Sequence, residues 1–250
     1  MFVLSLRVQS PIPIDLTGVL PGLTLDEAIR FPVLFGNRRV PIGELFTVAA
    51  AASMTIDGDG TSLHNVGLGM TGGHIEVRGS IGRHAGARMT GGTLTIRDDA
   101  GDWLGAEMRG GSIHLLGDAG SQVGAAYRGG RRGMSGGTIH IEGNAGDEVG
   151  LRMRRGIITV NGDCGEFAGA AMIAGTLIIN GKIGARVGAG MTRGTIVTMR
   201  PPPLSPGFRF ACEYEPQFLQ LLKPGCGPRV KCFRGDLMTG GRGEIWHCHG

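Results

Sequence analysis

Six arginines, Arg128, Arg131, Arg132, Arg152, Arg154 and Arg155, crowd one short stretch of a chain whose only lysines are Lys182, Lys223 and Lys231. A guanidinium presents paired, planar N–H donors that match a carboxylate, so such a cluster suits an acidic partner surface or an acidic cofactor tail. Other groups that could do chemistry are sparse. His114 and His140 share a position in successive repeats, but their neighbours there are Thr95 and Thr159, and a solvated or interface ladder is expected rather than a metal site. In His247-Cys248-His249 the alternation of a strand lets only two of the three residues share a face. There is no nucleophile elbow, no His-Glu-x-x-His and no cysteine with a placed base. Neither catalytic residues nor a metal are therefore expected on this chain. The many Gly-x-Gly patterns recur without a following helix, whereas a phosphate-cradling loop occurs once, between strand and helix.

What positions these residues is a repeat. Met70, Met89 and Met108 are 19 apart, as are Met134, Met153, Met172 and Met191, and Gly67, Gly86, Gly105 and Gly124 follow the same step. The one break is a seven-residue insertion between Tyr127 and Met134. After a glycine, each repeat carries an alternating segment such as Thr93-Leu-Thr-Ile96, the signature of a half-buried strand. Its inward residues form the columns Ile75, Leu94, Ile113, Ile139, Ile158, Leu177, Ile196 and Val77, Ile96, Leu115, Ile141, Val160, Ile179. Two further columns are apolar, from Ile81 to Ile183 and from Ala85 to Val187. Nineteen residues cannot hold a strand, a helix and their connections, so the expected fold is all-β: a single-stranded right-handed parallel β-helix of about seven coils, each completing its core against its neighbours. Gly73, Gly82 and Gly86 are expected at corners that need positive φ or close backbone approach. Asp98, the one exception in the Gly79, Gly117, Gly143, Gly162, Gly181 column, is expected to take a left-handed conformation. No aspartate column of the calcium-binding type is apparent.

Three segments follow: an N-terminal cap over 1–53, the coils over 54–200 and a C-terminal cap over 201–250. Thr24-Leu-Asp-Glu27 reads as a capping box opening a helix that Pro32 ends. Ile56 and Gly60 fit the 19-residue register one step before Ile75 and Gly79. The tail offers an amphipathic stretch, Gln217 to Leu222, and a hairpin from Val230 to Trp246 turning at Gly240 and Gly241. The outward residues Leu116, Ile157, Ile178, Val197 and Met199 are expected to form an exposed apolar face that binds a partner. With 48 glycines among 250 residues, 41% hydrophobic residues, mean hydropathy of +0.08 and a net charge of +4, the chain reads as folded and soluble rather than collagen-like or disordered. Its few aromatics and unclustered basic residues outside the arginine group argue against nucleic acid, and no apolar run is long enough for a membrane span. A cytoplasmic location is expected. Five cysteines without a close pair read as reduced thiols.

The unit Gly86-Ala-Arg-Met-Thr-Gly-Gly-Thr-Leu-Thr-Ile96, the insertion Tyr127 to Gly137, the leader Phe35-Gly-Asn-Arg-Arg-Val40 with Gly43-Glu-Leu-Phe46, and the ending Phe233-Arg-Gly-Asp-Leu237 with Gly241-Arg-Gly-Glu-Ile245 resemble the C-type subunit of formylmethanofuran dehydrogenase over nearly the whole chain. The resemblance implies a non-catalytic subunit in a hetero-oligomer with formyltransferase, metal-dependent hydrolase and molybdopterin-subunit homologues. In methylotrophic bacteria such an assembly, a formyltransferase/hydrolase complex, moves a formyl group from formyl-tetrahydromethanopterin to a methanofuran-type carrier and releases formate. The archaeal alternative is a tungsten or molybdenum dehydrogenase. Scarce lysine beside abundant Arg, Ala and Gly favours the bacterial form. No cofactor is implied on this chain itself, although a polyglutamate-like carrier tail would give the arginine cluster an acidic ligand. Two other readings stand beside this one: a glutamate-synthase-like domain, and a free-standing β-helix using Thr93, Thr138, Thr176 and Thr195 as a flat face, which His74, Ser112 and Ile157 interrupt.

Overall fold

A computed structural model describes residues 1–7, 11–217 and 229–249. The leader contributes β1 (Phe2–Leu6), β2 (Ile14–Asp15), helix α1 (Leu25–Arg30), β3 (Pro32–Phe35), β4 (Arg38–Pro41), helix α2 (Ile42–Leu45) and β5 (Phe46–Ala50). The repeats follow with β6 (Met54–Asp57), β7 (Leu63–His64), β8 (His74–Val77), β9 (Thr93–Ile96), β10 (Ser112–Leu115), β11 (Ser135–Ile141), β12 (Arg155–Val160), β13 (Thr176–Ile179) and β14 (Thr195–Thr198). The tail adds β15 (Arg209–Tyr214), β16 (Arg229–Gly235) and β17 (Gly243–His249). Among the described residues no helix is long and apolar enough to cross a membrane.

The fold is all-β, dominated by one 13-stranded, mostly parallel sheet in which β8 to β14 lie side by side in chain order. Each strand pairs with its counterpart one repeat on, as in Leu94 with Ile113 and Ile158 with Leu177. A second line of contacts joins Ile81, Ala100, Ala119, Ala145, Cys164 and Ile183. The inward columns are buried, with Ile75, Leu94, Ile113, Ile158, Leu177 and Ile196 at 0% exposure, and the methionines fill the space beside them. Burial of each such side chain contributes about 1.5–3 kcal/mol, and because the contacts run from coil to coil no repeat keeps its core alone.

The corners are built in two ways. Gly73 and Gly86 have positive φ, at +85° and +63°. Gly82 does not; a Cβ there would meet the Leu63 and Thr61 carbonyl oxygens at 2.7 Å, so close approach is its reason. Close approach also governs the Gly79 to Gly181 column, where a Cβ would strike the backbone of the preceding coil. Asp98 is not left-handed, which corrects the expectation drawn from its residue type. The left-handed non-glycine positions include one column, His84, Trp103, Gln122, Glu148, Phe167 and Arg186, and besides it Asn65, Arg88, Glu107, Arg152 and Ala171. At His84, Trp103, Gln122, Glu148 and Phe167 the strain, about 1–2 kcal/mol each, is offset by a backbone hydrogen bond to the next coil, as from Trp103 N to Ser121 O at 2.9 Å. A column of Asp and Asn side chains lies at the outer corners. Asp99 accepts from Asp118 N (2.8 Å), Asp118 from Asn144 N (2.6 Å), Asn144 from Asp163 N (2.8 Å) and Asp163 from Lys182 N (2.7 Å). These side chains pin one coil to the next.

At the first coil the register is 21 residues, not 19: Met54 pairs with Ile75, Ile56 with Val77 and Gly60 with Ile81. The two extra residues lie between Gly60 and Val66, where β7 forms and pairs with β2 of the four-stranded leader sheet. β1 continues the large sheet beyond β6 and carries β5 antiparallel at its edge. The helix at Leu25–Arg30 has the expected capping box: Thr24 N donates to Glu27 Oε2 at 2.8 Å, and Glu27 N to Thr24 Oγ1 at 3.3 Å. Thr24→Ala is expected to cost about 1 kcal/mol, lowering Tm by about 2–4 °C in a thermal melt followed by circular dichroism.

At the far end β17 pairs with β14, and β16 and β15 follow antiparallel. Gly240, at φ +67°, lies in the connection between β16 and β17. The stretch from Gln217 to Leu222 lies, past Gln217, outside the described residues. The outward apolar face expected as a partner surface is largely internal: Ile178 and Val197 are buried with Val230, Cys232, Trp246 and Cys248, and Ile157 and Met199 pack against them. The chain's own C-terminal strands supply the cover; Leu116 alone of the expected set stays substantially exposed, at 40%. Cys164, Cys212 and Cys232 are free thiols, but Cys248 is disulfide-bonded, contrary to the expectation of reduced thiols throughout.

Candidate functional site: an arginine-lined pocket

The seven-residue insertion leaves the coil at Tyr127 and returns at Met134. Gly130 N donates to Tyr127 O at 2.7 Å, Gly133 N to Arg152 O at 2.9 Å and Met134 N to Gly124 O at 2.8 Å. Gly133 is buried, and a Cβ on it would lie 2.6 Å from the carbonyl oxygens of both Gly124 and Leu151, so only glycine lets the loop re-enter here. The loop thereby holds Arg131 and Arg132 beside the corner that follows each methionine. At that corner Arg109, Ser135 and Arg154 occupy equivalent places in successive coils, each donating its backbone N–H to the preceding coil's methionine carbonyl at 2.7–2.8 Å. Arg155 starts β12 opposite Ser135.

These residues line a cavity of about 580 Å³, bounded by Glu107, Arg109, Arg131, Arg132, Gly133, Ser135, Arg154 and Arg155. Glu107 is the one carboxylate, and both its oxygens are engaged: Oε2 by Arg88 Nε at 3.0 Å and Oε1 by Tyr127 N at 3.4 Å. Among the described residues none of the five lining arginines is in an ion pair. Five unpaired guanidinium groups on one concavity repel one another, and a polyanion relieves that repulsion.

Of the six arginines that stand out in the sequence, the structure thus brings Arg131, Arg132, Arg154 and Arg155 together. Arg152 is used differently: its Nη1 donates to Gly130 O at 2.9 Å and ties the inserted loop to the next coil. Arg128 is exposed on that loop and does not line the cavity. Arg109 is a member that sequence reasoning missed, because it precedes the insertion by almost a whole repeat; the 19-residue step from Arg109 across the insertion to Ser135 and Arg154 is the signal that points to it.

Beside the pocket an aromatic stack leads away from Tyr127. Its ring lies 4.9 Å from Trp103 and 5.6 Å from His84, with the Arg88 guanidinium 5.2 Å from its centroid, and its hydroxyl is 3.0 Å from His84 Nδ1. Burial, then the neighbouring His64 and Arg83, hold His84 below its ordinary value near 6.5, and burial with Arg83 does the same for His64. Since the unfolded chain binds these protons more readily, the stability contribution is complete above about pH 6.5 and falls as pH drops below it. Tm is expected to decline from pH 7 to pH 5, before carboxylates matter, with a shallower decline in His84→Gln; parallel profiles for the two proteins would contradict the assignment.

Two histidine groups remain. In His247-Cys248-His249 the disulfide removes Cys248 as a thiolate ligand, and His247 Nδ1 lies 3.4 Å from Thr198 O. His114 and His140 are adjacent as expected, their rings stacked 4.8 Å apart, and Glu142 joins them.

No protein-family model matches the chain. It is 37% identical over 89 residues to the C-type subunit of molybdenum-containing formylmethanofuran dehydrogenase 1 of Methanothermobacter thermautotrophicus, a match covering 32% of this chain and 22% of that protein. It is 38% identical over 90 residues to the C-type subunit of tungsten-containing formylmethanofuran dehydrogenase 2 of Methanothermobacter marburgensis, covering 32% of this chain and 33% of that one. The matched segments thus span a third or less of these curated relatives. The solved formyltransferase/hydrolase complex from Methylorubrum extorquens, in complex with methylofuran, contains a chain that is 33% identical with a TM-score of 0.88, covering 99% of this chain and all of that one.

Proposed function

We propose, for a chain that belongs to the C-type subunit family of formylmethanofuran dehydrogenases, the role of non-catalytic scaffold in a formyltransferase/hydrolase complex. The complex would convert formyl-tetrahydromethanopterin to formate by way of a formylmethanofuran-type carrier, as a step of formaldehyde oxidation in one-carbon metabolism. The observation that carries this reading is the end-to-end likeness, flanks included, to a chain of a complex of that kind. In this reading the coils form a right-handed parallel β-helix over 54–200, the segments 1–53 and 201–250 cap its two ends, and formyltransferase, hydrolase and molybdopterin-subunit homologues attach around it. The arginine pocket binds carboxylates, either of a partner protein or of an acidic carrier tail. The chain's own residues supply no nucleophile or placed base for the reaction; they orient and retain.

Purification of the native assembly tests the role. Formate release from formyl-tetrahydromethanopterin by a heteromeric complex containing this chain, with no tungsten or molybdenum in it, is the expected result. A monomer of 26.1 kDa in the native extract would contradict it, and a metal-containing complex that reduces carbon dioxide would favour the dehydrogenase reading.

A further inference from the structure

A second polar group lies outside the lining of the arginine pocket. His114 on β10 and His140 on β11 pair across the ladder, and Glu142 directly follows β11. One donor atom from each of the three lies within 4.8 Å of the others. His140 Nε2 is 2.9 Å from Glu142 Oε1, while Glu142 Oε2 accepts from Asn161 Nδ2 at 2.5 Å. Asn161 Oδ1 in turn accepts from Asn180 Nδ2 at 2.6 Å.

The direction of these hydrogen bonds is forced. A carboxylate only accepts, so Asn161 must present its amide N–H to Glu142 and its oxygen to Asn180. Asn180 must then present its own N–H, which leaves its Oδ1 buried with no partner. An orphaned acceptor of that kind costs stability, and what it secures is a fixed carboxylate: one oxygen held from behind, the other turned toward two imidazoles. A carboxylate oriented by outer hydrogen bonds beside histidines is the usual construction around a ligated metal.

We propose that His114, His140 and Glu142 form a binding site for a first-row divalent transition ion such as zinc. Zinc takes imidazole nitrogens at about 2.0–2.1 Å and carboxylate oxygens at about 2.0–2.2 Å. The three donor atoms already lie within 4.8 Å of one another, on side chains of two paired strands and of the residue directly after one of them. Two histidines and one carboxylate leave coordination positions for water, and the oxygen-poor set disfavours magnesium and calcium. Bridging β10 to β11, the ion ties two coils together next to the insertion.

The test uses the full-length, untagged chain after chelator treatment. Titration with zinc chloride in a calorimeter is expected to show one site, cobalt(II) should give visible ligand-field absorption at the same stoichiometry, and magnesium should give neither. His140→Asn, and separately Glu142→Gln, should each weaken zinc binding at least tenfold with unchanged far-ultraviolet circular dichroism. If a variant fails to fold, diethyl pyrocarbonate footprinting of the unaltered chain decides: zinc should protect His114 and His140 and leave the exposed His74 reactive. Absence of zinc binding, binding of equal strength in Glu142→Gln, or no protection of His114 and His140 would each overturn the proposal.

Discussion

Replacing Arg109, Arg131, Arg132, Arg154 and Arg155 together with glutamine is expected to leave the chain folded and to cut carrier retention or assembly of the complex at least tenfold. The fold is spared because these side chains make no ion pair among the described residues and most are exposed, so the coils lose nothing with their charge. The binding is lost because the pocket's only affinity for an acidic ligand is the field of five guanidinium groups and their paired N–H donors. Carrier content in the purified complex, measured by mass spectrometry, and the assembled fraction by size exclusion read the two arms. Raising salt toward 1 M, where the Debye length shrinks to about 3 Å, should weaken ligand retention by the unaltered complex in the same direction. Arg152→Gln alone should act less, through loosening of the loop that Gly130 anchors. Unchanged carrier content and assembly in the fivefold variant would remove the pocket from the account.

The second large effect lies in the core. Ile139→Ala is expected to destabilise the chain by about 2–5 kcal/mol, the range for a large-to-small change at a fully packed site. Ile139 is 1% exposed, sits between Ile113 and Ile158 in the ladder, and its Cδ1 reaches under Gly105 of the neighbouring coil. A cavity there weakens two coil interfaces at once. Thr138→Ala, one residue earlier but facing outward with only a 3.1 Å contact to Ser112 Oγ, should change stability by no more than about 0.5 kcal/mol. Chemical denaturation of the two variants separates them, and equal losses would mean that the inward and outward faces are not as described.

Much of this molecule is legible in its sequence, and the reason is periodicity. A coil whose core is completed only by its neighbours must repeat its apolar residues at one step, so the inward columns, the corner glycines at Gly73 and Gly86 and the position of the insertion all show there. The capping box at Thr24 shows because its chemistry is local. What does not show is everything set by the neighbour rather than the residue. His84 and Trp103 are left-handed because hydrogen bonds to the next coil hold them, and nothing in a histidine or tryptophan announces that. Asp98 invites a left-handed reading by its type, yet its column is constrained by the backbone beneath it. Ile178 and Val197 look solvent-facing from their alternation; their cover comes from strands over thirty positions further on, beyond the repeat. The two residues that form β7 are hidden because a register change at the first coil leaves Ile56 compatible with either pairing.

The arginine pocket is half legible for the same reason. Arg131 and Arg132 stand out in the insertion, and Arg154 and Arg155 in the coil after it, but Arg109 joins them only through stacking, and Arg152 leaves them because its side chain turns to Gly130. Glu142 escapes a reading by columns because it is not in the one that holds His114 and His140; the carboxylate lies two residues further along the same strand direction.

The most direct test of the proposed role, a non-catalytic subunit on which partner proteins assemble, is a reconstitution assay. Formate release from formyl-tetrahydromethanopterin is measured with this chain alone, with its partner proteins alone, and with all of them combined. No turnover by the isolated chain at any concentration, and restoration of activity when it is added back to its partners, are the expected results. Turnover by the chain by itself, or full activity and assembly of the partners without it, would contradict the account.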